Sequence, residues 1–353
     1  MTRTAIVFSP KYLDHNPGPG HPESPKRLRV IMKELKRSGL LETGDSAVVE
    51  PDPARTKDVK LVHEADYIQL VRQICSSGGG LLDLGDTVIG PESYDVALLA
   101  VGGTLKAVNL VMNRTFRNAF ALVRPPGHHA GAYYAMGFCI FNNVAVAATH
   151  LLRRFNLKRV AILDTDAHHG NATQEIFYDT EKVLYIGLHQ DPAEFPATGF
   201  ADEVGEGEGL GYTVNIPFPY LIGDDIYLEA FSQIAVPIVE QYEPQFILVS
   251  AGFDGHYTDP VAELALSTLS YTQAFGKISE LASRFCTGRM VAVLEGGYSL
   301  RLLGKMTTAV IAQMAGVPHQ FHNEHETADP EIQRRAGEII EDVRRIQSSF
   351  WEV

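Results

Sequence analysis

The sequence predicts an α/β fold: three layers, α/β/α, around a mostly parallel central sheet. Short apolar runs with the composition of buried strands alternate along the chain with longer segments whose apolar residues recur at helical spacing. This alternation is typical of parallel strands joined by helices that cover both faces of a sheet. The chain has 353 residues and shows no repeat, low-complexity tract or linker, so we expect residues 1–353 to form one domain.

Eight runs are assigned as strands because they are short, rich in Val, Ile, Leu, Ala and Phe, and bounded by polar or turn-forming residues. They cover residues 5–8, 48–53, 119–123, 160–163, 183–188, 212–216, 245–250 and 290–294. Several are apolar at every position rather than at alternate ones, which indicates strands buried on both faces.

Nine segments between and after these runs have helical spacing of apolar residues. In the first, Ser24 can act as N-cap and Pro25 as the first helical residue. The segments cover about 25–40, 56–75 with a break near His63, 94–112, 141–152, 172–178, 224–241, 269–285, 302–315 and 330–350. Residues 190–211 form instead a long loop containing Gly, Glu and Pro, and its length suggests a function.

The stretch V-A-I-L-D-T-D-A-H-H-G-N-A-T-Q, residues 160–174, combines a buried strand with potential metal ligands. Asp164, Asp166 and His168 follow the apolar run at alternate positions. If the extended conformation continues, these three side chains project to one side, where they could bind a divalent metal. Taken alone, D-x-D-x-H is more simply explained as a polar strand end with a capping Asp.

Four other predicted strands also end in polar residues. Parallel strands place their carboxyl ends at one edge of the sheet, and ligands of such folds bind there. The residues concerned are His128 and His129, His189, Asp254, and the E-G-G-Y run that ends at Tyr298. A single His or Asp after a strand is ordinarily a loop or capping residue, but five such strand ends together predict a catalytic metal centre.

Asp166, His168 and Asp254 offer two carboxylates and one imidazole, a ligand set that suits an open, catalytic zinc site. A metal in such a site polarises a carbonyl and lowers the pKa of its bound water. The tandem histidines of R-P-P-G-H-H supply groups that can move protons, and the tyrosine of E-G-G-Y can donate to a developing oxyanion. The pattern therefore predicts metal-assisted hydrolysis of an amide or ester.

Composition limits the other functions. The formal net charge of −13 argues against non-specific binding to nucleic acid or to an anionic membrane, and it favours a cationic substrate only weakly because solubility explains it equally well. The three cysteines, Cys75, Cys139 and Cys286, are too few and too far apart for a disulfide framework or a thiolate zinc site. We expect no secretory leader and no apolar stretch of membrane-spanning length, and hence a cytoplasmic protein.

Five motifs together resemble the histone deacetylase superfamily, which also includes acetylpolyamine amidohydrolases and acetoin-utilisation proteins. They are R-P-P-G-H-H-A, G-F-C-I-F-N-N, L-D-T-D-A-H-H-G-N-A-T-Q, S-A-G-F-D and E-G-G-Y. The resemblance extends from H-P-E-S-P-K-R-L to the helix after Tyr298 and is strongest to the class II branch and its bacterial and archaeal amidohydrolases. It implies an arginase/deacetylase-type fold and zinc-dependent removal of acetyl or similar short acyl groups from amines such as acetyl-lysine.

The resemblance also implies roles for individual residues. By resemblance, the zinc ligands are Asp166, His168 and Asp254. Among the catalytic residues implied in the same way, His129 would act as general base and then acid, and His128 would be its electrostatic partner. Tyr298 would polarise the scissile carbonyl, Asp164 would orient His128, and Asn171 would face His129. One structural potassium site would use Asp164, Asp166 and the carbonyls of His168 and Leu188, and a second the backbone of Phe177, Thr180, Val183 and Tyr212.

A substrate tunnel is implied in the same way. Its walls would be formed by Gly137, Phe138 and Phe195, together with Val261 and with Gly296 of the tyrosine turn. Asp86 would be a rim carboxylate, with Asp83 as the alternative. Arg27 would line an internal acetate channel. The two phenylalanines could instead be core aromatics. Cys139 is expected to be a buried packing residue, and the remaining histidines are expected to be ordinary surface or packing residues: His21, His63, His150, His256, His319 and His322.

Two positions depart from the family pattern. Asn171 stands where class I enzymes have a carboxylate, so the pKa of His129 is expected to be lower. Val261 stands where polyamine-selective relatives have a glutamate, so this chain has less reason to prefer polyamines, although Glu263 is two residues away.

Other functions remain alternatives. An arginase-like ureohydrolase would need extra acidic ligands for two manganese ions, and a non-catalytic acyl-lysine binding module would be expected to lack His129, Tyr298 or a metal ligand. An acetylpolyamine or other small-molecule amidohydrolase is the main competitor within the superfamily. The natural substrate, the preferred acyl length and the oligomeric state, including a homo-oligomer, stay open.

Overall fold

The structure, a computed structural model, describes residues 4–321 and 328–353. The strands of the described residues are β1 (Thr4–Val7), β2 (Ser46–Val49), β3 (Gly80–Leu81), β4 (Val88–Ile89), β5 (Asn118–Ala121), β6 (Val160–Asp164), β7 (Val183–Gln190), β8 (Thr213–Phe218), β9 (Phe246–Ala251) and β10 (Met290–Leu294). Eight of them form one sheet, in the order β2-β1-β5-β10-β9-β6-β7-β8. Every neighbouring pair in it is parallel, whereas β3 and β4 form a separate antiparallel pair.

Helices connect these strands. In the described residues they are α1 (Lys26–Arg37), α2 (Thr56–Val59), α3 (Ala65–Ser76), α4 (Ser93–Met112), α5 (Asn143–Arg154), α6 (Asn171–Phe177), α7 (Asp224–Ala230), α8 (Val236–Tyr242), α9 (Thr268–Phe285), α10 (Leu303–Ala315) and α11 (Pro330–Gln347). They pack in two groups: α4 contacts α2, α3 and α5, whereas α9 contacts α7, α8 and α10, and α10 contacts α1. The groups cover the two faces of the sheet, which confirms the predicted α/β/α layering.

The strand register explains where polar residues collect. In the centre of the sheet, β9 and β10 are buried at every position, as expected for strands covered on both faces. Asp164 at the end of β6 is paired with Ser250 of β9, and Ala251 of β9 is paired with Leu294 of β10. The three loops that follow these strands therefore begin side by side at one edge of the sheet.

The predicted strands and helices are found, with ends shifted by a few residues and three local corrections. Helix α1 begins at Lys26 and Pro25 occupies its N-cap position, so the expected cap by Ser24 is wrong. Strand β6 ends at Asp164, so the extended conformation does not continue to His168, contrary to the expectation. A π-helical turn, Phe231–Ala235, joins α7 to α8 inside the segment predicted as one helix. His322 lies outside the described residues.

Helix α4 corrects one further expectation. Over its 20 residues, Ser93–Met112, it contains a window with a mean hydropathy of 1.5, so by length and composition it could cross a membrane, contrary to the expectation that no segment would. In the fold, 67% of that window is buried, because the helix packs between α5 and strands β1 and β5.

Candidate metal centre and active site

Asp166, His168 and Asp254 come together in the loops that follow β6 and β9. One ligand atom from each lies within 4.8 Å of the other two. Nδ1 of His168 is 2.9 Å from Oδ2 of Asp254 and 3.4 Å from Oδ1 of Asp166. Both carboxylates are buried and the imidazole is nearly so, with 12% of its side chain exposed. The three residues predicted to bind zinc thus form one compact cluster.

Backbone hydrogen bonds, rather than a continuing strand, aim these side chains. The Asp166 N–H donates to Oδ1 of Asp164 at 3.2 Å, and the His168 N–H donates to Oδ1 of Asp166 at 3.0 Å. Each is a local turn in which a carboxylate accepts from the residue two positions later. The Ala167 N–H donates to Oδ1 of Asp254 at 2.9 Å and joins the two loops. The alternate spacing therefore brings the ligands together through successive turns.

Two glycines make room for the carboxylates. A Cβ on Gly252 would lie 2.2 Å from Oδ2 of Asp166, and a Cβ on Gly296 would lie 2.6 Å from Oδ2 of both Asp166 and Asp254. Real Cβ atoms do not approach so closely. The Gly296 N–H also donates to Oδ2 of Asp166 at 2.8 Å. The glycines of G-F-D and E-G-G-Y are therefore required by the close approach of backbone to the ligand cluster.

The cluster is short of positive charge. Burial raises the pKa of both Asp164 and Asp254, and the Asp166 carboxylate raises that of Asp254 further. Burial lowers the pKa of His168, but hydrogen bonds to Asp166 and Asp254 outweigh it and raise the pKa to about 10. Crowded buried carboxylates of this kind are stabilised by a bound cation.

The donor set fits a zinc ion. Zinc binds carboxylate oxygen and imidazole nitrogen at roughly 2.0–2.2 Å, which places neighbouring ligands about 3.4 Å apart in a tetrahedron. The 2.9 Å and 3.4 Å separations of His168 from the two carboxylates are close to that spacing. Coordination needs a neutral imidazole, so binding would release the proton that the carboxylates now stabilise on His168.

The tandem histidines follow β5 and lie beside the cluster, with ring centroids 3.9 Å apart. Nδ1 of His128 is 3.2 Å from Oδ2 of Asp164, and Nδ1 of His129 is 2.7 Å from Oδ1 of Asn171. Because the Asn171 amide nitrogen is turned to the Tyr134 hydroxyl, its oxygen faces His129 and accepts from Nδ1–H. Nε2 of His129 is then left with its lone pair.

The two histidines differ in charge. Burial lowers the pKa of His128, but Asp166 and Asp164 outweigh it and raise the pKa to about 10. Burial and the neighbouring charges on His128 and His168 hold the pKa of His129 well below its usual 6.5. A neutral imidazole next to a protonated one is suited to accept a proton.

Tyr298 follows β10 and lines the same cavity, with 8% of the residue exposed. Arg27 lies over its ring, with Cζ 4.9 Å from the centroid, and donates to the carbonyls of Gly297 at 2.6 Å and Glu295 at 2.5 Å. Gly297 has a φ of 116°, a left-handed conformation that favours glycine. Burial raises the pKa of the Tyr298 phenol well above its usual value, so it stays a hydrogen-bond donor at neutral pH.

A cavity of about 220 Å³ leads to the cluster. Its lining residues are Asp86, Pro126, His128, His129, Gly137, Phe138, Asp166, His168, Phe195, Val261, Gly296 and Tyr298. The Phe195 ring is 5.1 Å from that of His129, and the Phe138 ring is 5.8 Å from that of Tyr298. The two phenylalanines therefore lie at the cavity rather than in the core.

The rim carboxylates occupy different environments. Asp86 lines the cavity, and burial raises its pKa. Asp83 instead accepts hydrogen bonds within its own loop, from the Gly85 N–H at 3.0 Å and from the Thr87 N–H and hydroxyl at 3.0 and 2.5 Å. Of the two candidates, Asp86 is the one in a position to meet a ligand.

The residues assigned to potassium by resemblance lie around β7. Asp164 and Leu188 are buried beside the His168 loop. Phe177 ends α6, Val183 begins β7, and the Thr180 N–H donates to the Phe177 carbonyl at 3.3 Å. Potassium binding stays a prediction.

Sequence reasoning missed several contacts that support the site. Oε2 of Glu295 accepts from the N–H groups of Gly127 at 2.6 Å and His128 at 3.2 Å, so it holds the histidine loop. His21, expected to be ordinary, lies 4.7 Å from the Phe138 ring and bonds the Asp86 carbonyl at 3.1 Å. A glutamate directly after a strand is a signal that could have been used, whereas His21 sits in an irregular loop whose partners cannot be inferred from spacing.

Two other expectations concern buried residues. Cys139 is buried, and burial raises its pKa well above the usual 9.0, so it is a protonated thiol as expected for a packing residue. His63 is also buried, but it accepts from the Asn142 N–H at 2.9 Å and bonds the Gly131 carbonyl at 2.8 Å. It thereby ties the segment after the tandem histidines to the start of α5.

Comparisons with known proteins agree with this geometry. Residues 21–314 match the histone deacetylase domain family. A probable deacetylase from Archaeoglobus fulgidus is 42% identical to this chain over 99% of each protein. A histone deacetylase-like amidohydrolase from Pseudomonas aeruginosa is 38% identical over 89% of this chain and 87% of its own length.

Solved structures give the same result for the fold. The crystal structure of the HDA15 HD domain is similar with a TM-score of 0.89 and 34% sequence identity, covering 99% of this chain and 96% of that chain. This confirms the predicted arginase/deacetylase-type fold. The family match includes every residue of the cluster, and the two relatives match 99% and 89% of the chain. The chain therefore belongs to the histone deacetylase family and is an enzyme that hydrolyses acetylated amides.

Proposed function

We propose that this enzyme is zinc-dependent and removes acetyl or similar short acyl groups from amines such as acetyl-lysine. The observation that supports it most directly is that the ligand triad, the neutral His129 and the Tyr298 phenol line one cavity. Asp166, His168 and Asp254 would hold the zinc ion. When bound, zinc supplies a Lewis acid that polarises the acyl carbonyl and lowers the pKa of the attacking water.

His129 performs the proton transfers in this proposal. Its free Nε2 accepts a proton from the attacking water, and the resulting imidazolium then donates to the leaving amine nitrogen. Asn171 holds the ring by accepting from Nδ1–H at 2.7 Å. His128, paired with Asp164, keeps its own proton and contributes positive charge near the reacting carbonyl.

Tyr298 stabilises the oxyanion that develops on the acyl oxygen. Its hydroxyl stays protonated at neutral pH because burial raises its pKa. A donor of this kind is worth about 10²–10³-fold in kcat when it is aimed at the transition state. Phe138 and Phe195 would enclose the aliphatic part of the substrate and exclude water from the reaction.

Two residues at the rim of the cavity favour acyl-lysine over acetylated polyamines as the substrate class. Asp86 is in a position to accept from the backbone N–H groups of an acetyl-lysine peptide. Val261, which also lines the cavity, offers no carboxylate to a polyamine. Acyl-lysine is therefore the preferred proposal, and an acetylpolyamine or other small amide is the alternative. We further propose that structural potassium ions occupy two sites, one formed by Asp164, Asp166 and the carbonyls of His168 and Leu188, and one formed by the backbone of Phe177, Thr180, Val183 and Tyr212.

The test is deacylation of a panel: acetyl-lysine peptides, free acetyl-lysine, acetylated polyamines, and longer or fluorinated acyl-lysines. Each substrate is assayed as purified, after chelation, and after zinc or manganese is added back. We expect zinc to restore turnover of acetyl-lysine and the variants His129→Ala and Tyr298→Phe to lose it. His150→Ala is the matched control, because that histidine bonds Asn109 far from the cavity.

Each other outcome changes a specific part of the proposal. Restoration by manganese alone would overturn the zinc assignment, and turnover confined to polyamines would overturn the acyl-lysine assignment. No turnover by folded, zinc-loaded protein on any substrate would favour a binding module. Loss of peptide turnover but not of free acetyl-lysine turnover in Asp86→Asn would support the backbone contact.

A further inference from the structure

The backbone of the turn that carries Tyr298 is held by the loop that follows Asp254. Oδ2 of Asp259 accepts from the Tyr298 N–H at 2.6 Å and from the Ser299 N–H at 3.0 Å. The Thr258 and Ser299 hydroxyls are 2.8 Å apart, which adds a second contact between the same two segments. These groups lie 39–41 residues apart in sequence, so the contacts are tertiary.

The other oxygen of the same carboxylate binds the backbone of a residue that lines the cavity. Oδ1 of Asp259 accepts from the Val261 N–H at 3.1 Å, and Val261 lines the cavity. The Asp259 N–H donates to the His256 carbonyl at 2.7 Å, which fixes the carboxylate's own backbone. One side chain thus connects a rim residue, through Oδ1, to the tyrosine turn, through Oδ2.

The turn depends on such anchors because its glycines supply no packing of their own. On its other side, Arg27 binds the carbonyls of Glu295 and Gly297, and Asp166 binds the Gly296 N–H. Asp259 binds the N–H of Tyr298 itself. Displacement of a reacting group by about 1 Å can cost roughly 10²-fold in rate, so the anchor nearest the phenol's own Cα matters most.

We infer that Asp259 is a positioning residue: it sets the Tyr298 phenol against the acyl carbonyl and couples that placement to the Val261 rim. The inference rests on the proposed deacylation by this site. The hydrogen bonds of Asp259 join it to the backbone of Tyr298, Ser299, Val261 and His256, and it acts through Tyr298.

The test compares Asp259→Asn, Tyr298→Phe and the double variant on an acetyl-lysine peptide. Asparagine keeps the size, but its single oxygen can serve only one of the two sets of N–H groups and its amide faces the other. We expect Asp259→Asn to lower kcat about 10-fold to 100-fold while KM stays within about threefold of wild type. In the Tyr298→Phe background the same substitution should have almost no further effect on kcat, because the group it positions is absent.

A trifluoroacetyl substrate gives a second measurement. Its activated carbonyl needs less polarisation, so the kcat losses of Asp259→Asn and Tyr298→Phe should shrink together. Asp259→Ser is the second variant if the asparagine form does not fold, and Asp329→Asn is the control, because Asp329 also binds a backbone N–H, at the start of α11. The control should retain wild-type kcat.

Two results would overturn the inference: wild-type kcat in folded Asp259→Asn, or equal losses from Asp259→Asn in the wild-type and Tyr298→Phe backgrounds. The second result would mean a general structural effect rather than positioning of the phenol. Equal turnover by wild type and Tyr298→Phe would count instead against the proposed role of Tyr298, so the two failures are distinguishable.

Discussion

Two buried groups of charges lie near each other in this fold and are balanced in opposite ways. The arginine cluster consists of Glu23, Arg27 and Arg124. The Glu23 carboxylate accepts from Arg124 at 2.7 Å on each oxygen and from Arg27 at 3.0 Å. Burial opposes its ionisation, but Arg124, His15 and Arg27 outweigh burial and lower the pKa of Glu23 well below its usual value.

The metal cluster, defined as Asp164, Asp166, His168 and Asp254, is balanced only in part by nearby imidazoles. Burial opposes the ionisation of Asp166, but His128 and His168 outweigh burial and lower its pKa. Burial raises the pKa of Asp164 and of Asp254, and repulsion from the Asp166 carboxylate adds to both increases. The negative charge of Glu23 is compensated by arginine side chains of the same cluster. One of them, Arg27, also donates to the carbonyls of Glu295 and Gly297 and thereby supports the tyrosine turn. The metal cluster leaves room for a cation from outside, which is the difference between a structural charge network and a catalytic one.

The largest expected effect separates activity from stability in the metal cluster. Asp254→Asn should lower kcat/KM at least about 10³-fold, since metal-assisted charge stabilisation is worth several kcal/mol. The folded pKa of Asp254 is raised, so its ionised form opposes folding above its unfolded pKa, whereas its hydrogen bond to His168 raises the pKa of that imidazole and favours folding. Because these two effects oppose each other, the metal-free variant should lose less stability than Glu23→Gln does. Thermal unfolding after chelation measures this. A loss in melting temperature as large as that of Glu23→Gln would contradict the imbalance.

The second expected effect is on the arginine cluster. Glu23→Gln should lower the free energy of unfolding by about 3 kcal/mol, because Arg27 and Arg124 stay buried without their counter-ion. The folded pKa of Glu23 is lowered, so the wild-type advantage is present above the usual 4.5 and is lost as the pH falls toward the folded value.

Urea unfolding at several pH values measures the loss in Glu23→Gln. Glu34→Gln is the control, since its partner Arg37 is largely exposed and such surface pairs contribute about 0–1 kcal/mol. Equal effects of the two substitutions would mean that burial does not distinguish the arginine cluster from a surface pair.

Metal removal is expected to affect the two clusters differently. Zinc at about 100 times its Kd should stabilise the chelated protein by about 2.7 kcal/mol. The gain should persist in Glu23→Gln and be much smaller in Asp254→Asn. Melting temperatures with and without zinc test this without an activity assay. A gain that is retained in Asp254→Asn would place the zinc elsewhere.

The smallest expected effect concerns the pH profile. Asn171→Asp places a carboxylate 2.7 Å from Nδ1 of His129, which should raise the lowered pKa of that base. The base must be neutral, so the acidic limb of kcat/KM should move to higher pH. Asn109→Asp beside His150 is the control and should leave the profile unchanged. An unmoved limb in Asn171→Asp would show that the facing group does not tune His129.

The alternation of strands and helices was predictable because it depends on the local spacing of apolar residues. Residues that end successive parallel strands were also predictable as neighbours, which is why Asp166, His168 and Asp254 could be grouped from the sequence alone. The route was wrong in detail: β6 ends at Asp164, and two side-chain-to-backbone turns carry the chain to His168. Competition between strand and local turn depends on the loops that pack nearby.

Loop partners were not predictable. Asp83 and Asp86 are three residues apart in one loop, and only the fold decides that the first binds its own backbone while the second lines the cavity. Likewise nothing in the spacing pairs Glu23 with Arg124, 101 residues later.

By itself the sequence determined the layered fold, the family, and which strand ends carry chemistry, because these follow from local periodicity and from residue types that few other functions need. The tertiary structure alone decided how charge is shared among the side chains that meet. In the folded chain Glu23 pairs with two arginines, whereas the three aspartates of the metal cluster have imidazoles as their neighbouring cations, and Asp259 accepts from the Tyr298 N–H. The physical reason is that burial and charge pairing depend on the docking of loops from distant segments, and these energies are set only when the sheet edge is assembled.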